Sequence, residues 1–197
     1  IGEHQTPVFA RMMRYMVFRP YWNVPISIVR KELIPHIQAN HGYLEAKNFE
    51  VINNKGQPVP GYTVKQLAQG GLMVREKPGP KNSLGLVKFM FPNQHAVYLH
   101  DTPNRSLFQR AERAISHGCV RVDDPFTFAE IVLGKEWPQS RVKKLIGKGE
   151  RLVRLPELIP IHLTYFTLVV SDNGKLVRYP DIYKHDQRVT AALRNLH

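Results

Sequence analysis

The chain has 197 residues and carries 28 Lys and Arg against 16 Asp and Glu, a formal net charge of +12 at pH 7. A hydrophobic content of 43% is that of an ordinary folded domain with a real core, which sets aside a disordered chain. No apolar run is long enough for a membrane-spanning helix, and a lone cysteine rules out an internal disulfide and argues against a structural zinc site, which usually takes more than one sulfur.

Residues 14–18 alternate well enough for a strand, with the nearby methionines as core filler. Pro20 and Pro25 bracket Tyr21-Trp22, and Pro25 at a first helical position opens a helix over 26–38 that Pro35 kinks. A short helical piece at 42–47 leads to a strand at 49–52, closed by the turn Asn53-Asn54-Lys55-Gly56. Residues 25–70 interrupt the β pattern and read as an inserted lid over a site. Strands follow at 73–75, 86–91 and 97–100, then a long loop at 102–115 carrying Arg105, Arg110 and Arg113, of the length that is usually functional or mobile.

Asp123-Asp124 before Pro125 reads as an N-cap with proline at N1, opening a helix that buries Phe126, Phe128, Ala129, Ile131, Val132 and Leu133 and stops at Gly134. A basic helix over 139–146 continues into Lys148, Arg151 and Arg154, a solvated face or a polymer-binding surface. An apolar strand is predicted over 161–171, turning at Asp172-Asn173-Gly174-Lys175 into a strand at 176–179. The tail from Asp186 to Leu196 reads as a peripheral helix. The fold expected is mainly β, or α+β, with helices packed outside and an α-rich lid. The basic balance favours an anionic partner, but no helix-turn-helix, RNA-recognition signature or zinc finger points to nucleic acid. No signal peptide stands at Ile1, and the abrupt opening reads as a fragment of a longer polypeptide.

The chemistry concentrates in the stretch 100–122, which holds Cys119, the only cysteine. Such a residue is either a buried small hydrophobe or a nucleophile. His117, Gly118 and Arg121 make a polar, flexible, electropositive setting of the kind in which thiolates form. An unperturbed thiol is mostly protonated at neutral pH, so a base or cation must raise its reactivity. Either histidine can serve. His117 shares a face with Cys119 if the chain is extended, and His100 ends the apolar run Ala96-Val97-Tyr98-Leu99, a rigid place for a base. Gly118 permits the tight backbone that aims N–H groups at an oxyanion. Arg121 offers a fork for a carboxylate or a structural salt bridge. His100, His117 and Cys119 are alternatively three zinc ligands of a hydrolase, with water in the fourth position.

His100 followed by Ser116-His117-Gly118-Cys119-Val120-Arg121 resembles the signature of L,D-transpeptidases with the YkuD-type catalytic domain. Asn82-Ser83-Leu84-Gly85, Val87-Lys88-Phe89, Tyr98 to Asn104 and Leu107-Phe108 are similar to the YcbB-type subgroup of Gram-negative bacteria. So are Thr6-Pro7-Val8-Phe9 and Trp22-Asn23-Val24-Pro25. The resemblance implies a β-sandwich with a substrate-capping insertion at 25–70. It implies Cys119 as nucleophile, His100 as general base, His117 as a helper, and the Gly118 and Cys119 N–H groups as the oxyanion site. Arg121, Tyr98, Asp101 and Ser116 are the candidate substrate-binding residues. The implied reaction joins peptidoglycan stem peptides by 3→3 cross-links, with no metal or organic cofactor, in the periplasm of a Gram-negative bacterium. It also implies acylation by carbapenems and, as further partners, other cell-wall synthesis proteins. A catalytically silent peptidoglycan- or polyanion-binding module stays open as a third class. Strands expected upstream of the Thr6 block are absent, so the chain is cut or another polypeptide completes the sheet. A strand edge near residues 8–18 left without a partner would argue against completion in trans.

Overall fold

Residues 9–18 place Met13, Met16, Val17 and Phe18 in the interior, and this apolar run becomes the centre of the domain in the computed structural model, which describes residues 5–195. The strands are β1 (Phe9–Phe18), β2 (Trp22–Asn23), β3 (Phe49–Ile52), β4 (Met73–Glu76), β5 (Val87–Met90), β6 (Leu99–His100), β7 (Val120–Arg121), β8 (Arg151–Leu163), β9 (Leu168–Val170) and β10 (Leu176–Arg178). They form a five-stranded sheet in the order β7-β6-β5-β1-β8, a three-stranded sheet β2-β4-β3, and the hairpin β9-β10. The fold is α+β with mainly β content, as the pattern predicts.

The large sheet packs Met13, Met16, Phe18, Val87, Phe89 and Phe91 against the helices Pro125–Leu133 and Gln139–Lys143. Asp124 caps the first helix by accepting the Thr127 N–H at 3.1 Å, with Pro125 at N1 and Gly134 past the end at φ 88°. Ile131 is not in the core: it is 69% exposed, because Pro125, Ala129, Val132 and Leu133 form the inward stripe and position 131 falls on the opposite face. β1 pairs with β8 from Phe9 to Phe18 but with β5 only over Tyr15–Phe18, so among the described residues the β5 side of residues 9–14 has no strand partner, the open edge that argues against completion by another polypeptide.

The last long strand begins earlier than expected. β8 runs over Arg151–Leu163, and the chain leaves the strand conformation before β9. Arg151 and Arg154, read as the continuation of a basic helix, instead pair with Phe18 and Tyr15 of β1. Pro156 and Pro160 are tolerated because β8 is an edge strand, and a register shift opposite Met13 and Tyr15 absorbs the extra residues. The hairpin turn falls where predicted, with Gly174 at φ 78°.

Residues 22–76 build a second core of their own, in which Ile28, Val29, Leu33, Ile37, Leu67 and Val74 are buried. Pro25 caps this lobe's first helix from outside rather than occupying N1. Ahead of Pro35 the helix widens into a π-turn over Val29–Leu33, with the Ile34 N–H bonded to the Val29 carbonyl. A proline cannot donate to the residue four back and its ring crowds that carbonyl, so the wider turn accommodates it.

Candidate active site

β6 and β7 run parallel, with Leu99 level with Val120 and His100 level with Arg121. Side chains alternate across a strand, so Tyr98 and His100 share one face with Cys119 and Arg121 of the neighbouring strand. Each member of this two-by-two set interacts with others. Tyr98 and Arg121 both act electrostatically on Cys119, Arg121 exerts its charge on His100 as well, and the Tyr98 and His100 rings meet edge to face at 5.9 Å.

His100 is only 4% exposed, and its Nδ1 lies 2.5 Å from the Asp101 carbonyl. A carbonyl only accepts, so the proton sits on Nδ1 and Nε2 keeps a lone pair. Burial pushes the His100 pKa down to about 4, the Asp101 carbonyl opposes this, and the Arg121 charge adds to it. Burial pushes the Cys119 thiol up, while Tyr98 and the Arg121 charge pull the other way. The resting pair is therefore a neutral imidazole and a protonated thiol. The sulfur is 3.9 Å from the carbonyl of Ala96, a non-glycine residue held at φ 52°. No hydrogen bond joins His100 to Cys119 among the described residues.

Gly118 has φ 103°, a conformation that favours glycine. Its N–H donates to Ser116 Oγ at 3.2 Å, and that hydroxyl donates to the Cys119 carbonyl at 2.7 Å. Ser116 is thus spent on holding the Cys119 turn, and the Gly118 N–H is engaged rather than open to a ligand. The Cys119 N–H has no partner among the described residues, and Arg121 Nε is buried without one.

Asp101 is turned into the fold. It is 4% exposed, Oδ2 accepts the Leu86 N–H at 2.7 Å, and Oδ1 accepts the Thr102 N–H at 2.7 Å and Arg105 Nη2 at 2.6 Å. Gly85, at φ 62°, lies so close that an added Cβ would stand 2.3 Å from this carboxylate. The Asn82 to Gly85 block is therefore the bed of Asp101, and Arg105 staples the following loop to Asp101 and to the carbonyls of Val122 and Asp123.

His117 Nε2 is bonded to Glu32 Oε1 of the second lobe at 2.7 Å. The three zinc-ligand candidates are accordingly not gathered, and among the described residues no group of three His, Cys, Asp or Glu is placed to hold a metal. The same lobe sends Trp22 to the Tyr98 hydroxyl. A cavity of about 290 Å³ opens beside Cys119 and Arg121, walled by Leu107, Phe108, Arg113 and Tyr183.

Sequence reasoning did not single out Trp22, Glu32, Arg105 or Tyr183 as functional. Trp22 lies in a block that resembles the family. For Glu32 and Tyr183 nothing local carries a signal, since each arrives by tertiary contact. Among the described residues no helix is long and apolar enough to cross a membrane.

Comparison with known proteins agrees with this geometry. The chain is 33% identical over 196 residues to a Haemophilus influenzae protein described as "Putative L,D-transpeptidase", covering 97% of this chain and 40% of that relative's length. The YkuD family model, described as the L,D-transpeptidase catalytic domain, matches residues 1–153, which include the whole of the Cys119 face. The chain belongs to the YkuD family of L,D-transpeptidase catalytic domains.

Proposed function

We propose that this protein is a cysteine L,D-transpeptidase of the YcbB-type subgroup that forms 3→3 cross-links between peptidoglycan stems. The observation that carries the reading is the shared face of Tyr98, His100, Cys119 and Arg121, in which His100 presents an unprotonated Nε2 at neutral pH.

In this reading His100 acts as a general base at the moment of attack, since no preformed thiolate–imidazolium pair is favoured. The Cys119 proton passes to Nε2 as sulfur bonds to the donor carbonyl between the third stem residue and the terminal D-Ala. The C–N bond then breaks, and D-Ala departs as an amine carrying a proton from the His100 imidazolium. An amine of a second stem then attacks the thioester and gives a proton to His100 Nε2, the C–S bond breaks as the new amide forms, and the sulfur regains its proton from the imidazolium. The Cys119 N–H supplies a donor for the oxyanion. Tyr98 supports the developing thiolate, and Arg121 also suits a stem carboxylate. Asp101 and Ser116 act through position: one fixes the stretch that holds His100, the other the Cys119 turn. His117 and Glu32 tie that turn to residues 25–70, which serve as a capping lid. The whole reading places the protein in the periplasm.

The test is intact mass after incubation with a carbapenem, run beside Cys119→Ala. One adduct on the wild type alone is expected. A wild type that stays unmodified while its thiol remains titratable would refute the reading.

A further inference from the structure

Tyr183 lies outside the family match, which ends at residue 153, yet its side chain walls the Cys119 cavity. It is held there by its own cluster. The ring stacks on Tyr165 at 4.9 Å with an interplanar angle of 24°, and meets His185 edge-on at 5.8 Å. The Tyr183 N–H donates to the Tyr165 hydroxyl at 3.2 Å, and that hydroxyl donates to Asp181 Oδ1 at 2.8 Å. Asp181 in turn accepts the N–H groups of His185 and Asp186 at the start of the last helix, His185–Arg194.

This cluster connects to the nucleophile turn. The Tyr183 hydroxyl accepts the Thr6 N–H at 3.5 Å, and Thr6 Oγ1 donates to the Gly118 carbonyl at 3.0 Å, one residue from Cys119. The hydroxyl is engaged only as an acceptor among the described residues, so its proton remains available to a ligand. Arg113 and Arg121 bring cations to the same cavity, and Leu107 and Phe108 bring apolar surface.

We propose that Tyr183 is a specificity-determining residue, a fixed aromatic wall that, with Arg113, selects a short peptide bearing a carboxylate beside an aliphatic stretch. The inference rests on the acyl-transfer reading for its substrate. A ring already locked by stacking loses little freedom on binding, so its contact area is converted efficiently into selectivity.

The experiment compares wild type, Tyr183→Ala and Tyr183→Phe in steady-state transpeptidation of a tetrapeptide stem, and in labelling of Cys119 by N-phenylmaleimide and by iodoacetamide. Tyr183→Ala is expected to raise KM about tenfold with kcat changed less than about twofold, the size expected for loss of an aromatic contact. It should also speed phenylmaleimide relative to iodoacetamide several-fold, while Tyr183→Phe keeps the wild-type labelling ratio. An unchanged KM in Tyr183→Ala overturns the proposal. If the wild type forms no acyl-enzyme with the stem, the functional reading is what has failed. The labelling ratio then decides the wall by itself, and an unchanged ratio overturns it. Tyr183→Leu, which keeps an apolar plug against Tyr165, reads the same way should Tyr183→Ala not fold.

Discussion

His100 should make the folded state measurably sensitive to mild acid. Its pKa is about 4 in the folded chain, against about 6.5 for an unperturbed imidazole. Above pH 6.5 the ring is neutral in both states and nothing changes with pH. Between 6.5 and 4 the unfolded chain takes up a proton that the folded chain resists, so stability falls as pH falls; below 4 both states are protonated and the loss is complete. The full difference corresponds to about 3 kcal/mol, and about 2 kcal/mol of it is lost by pH 5. Urea unfolding of wild type and His100→Gln at pH 7 and pH 5 isolates this contribution, because every other titrating group cancels in the double difference. The wild type should lose about 2 kcal/mol more than the variant over that interval. Parallel losses would mean that His100 is not held neutral, and the general-base assignment would lose its physical footing.

Three other outcomes are expected. Gly85→Ala forces a Cβ into the Asp101 carboxylate at a left-handed backbone position, and displacing a buried, fully bonded charge of this kind should cost about 3–5 kcal/mol in chemical denaturation. His100→Ala should lower the rate of Cys119 acylation by about 10²–10⁴, while His117→Ser retains measurable acylation because His117 faces Glu32; equal losses in a stopped acylation assay would sink the distinction. Glu32→Gln should leave the unfolding free energy within about 0.5 kcal/mol of wild type, since both partners are close to half exposed, and a larger change in urea unfolding would show that the lobe contact is structural.

The parts of the fold legible in the sequence are those with local causes. Asp124 before Pro125 caps its helix, Gly134 ends it, and Asn173-Gly174 closes the hairpin, each by the chemistry of two or three adjacent residues. The start of β8 was not legible, because Arg151, Arg154, Pro156 and Pro160 interrupt the apolar alternation that marks a strand. It forms through its long pairing with β1, a partner about 140 residues away in sequence. Ile131 shows the converse limit. An apolar residue on a nine-residue helix was read as buried, but only the packed neighbour decides which stripe turns inward.

The site divides along the same line. Cys119 and His100 were legible because both lie in one stretch, and a parallel strand pair brings their face together with no help from distant chain. Asp101 lay in that stretch too, yet its role depends on Gly85, Leu86 and Arg105, which take up its carboxylate and leave only its carbonyl to the imidazole. A carboxylate beside a histidine proposed as general base suggests substrate or proton chemistry when read as letters. In three dimensions its two oxygens accept three hydrogen bonds from inside the fold, so what it transmits to the reaction is position. The orientation of His100 Nε2 thus rests on a glycine fifteen positions upstream, and a substitution there should reach the chemistry without touching a reacting atom.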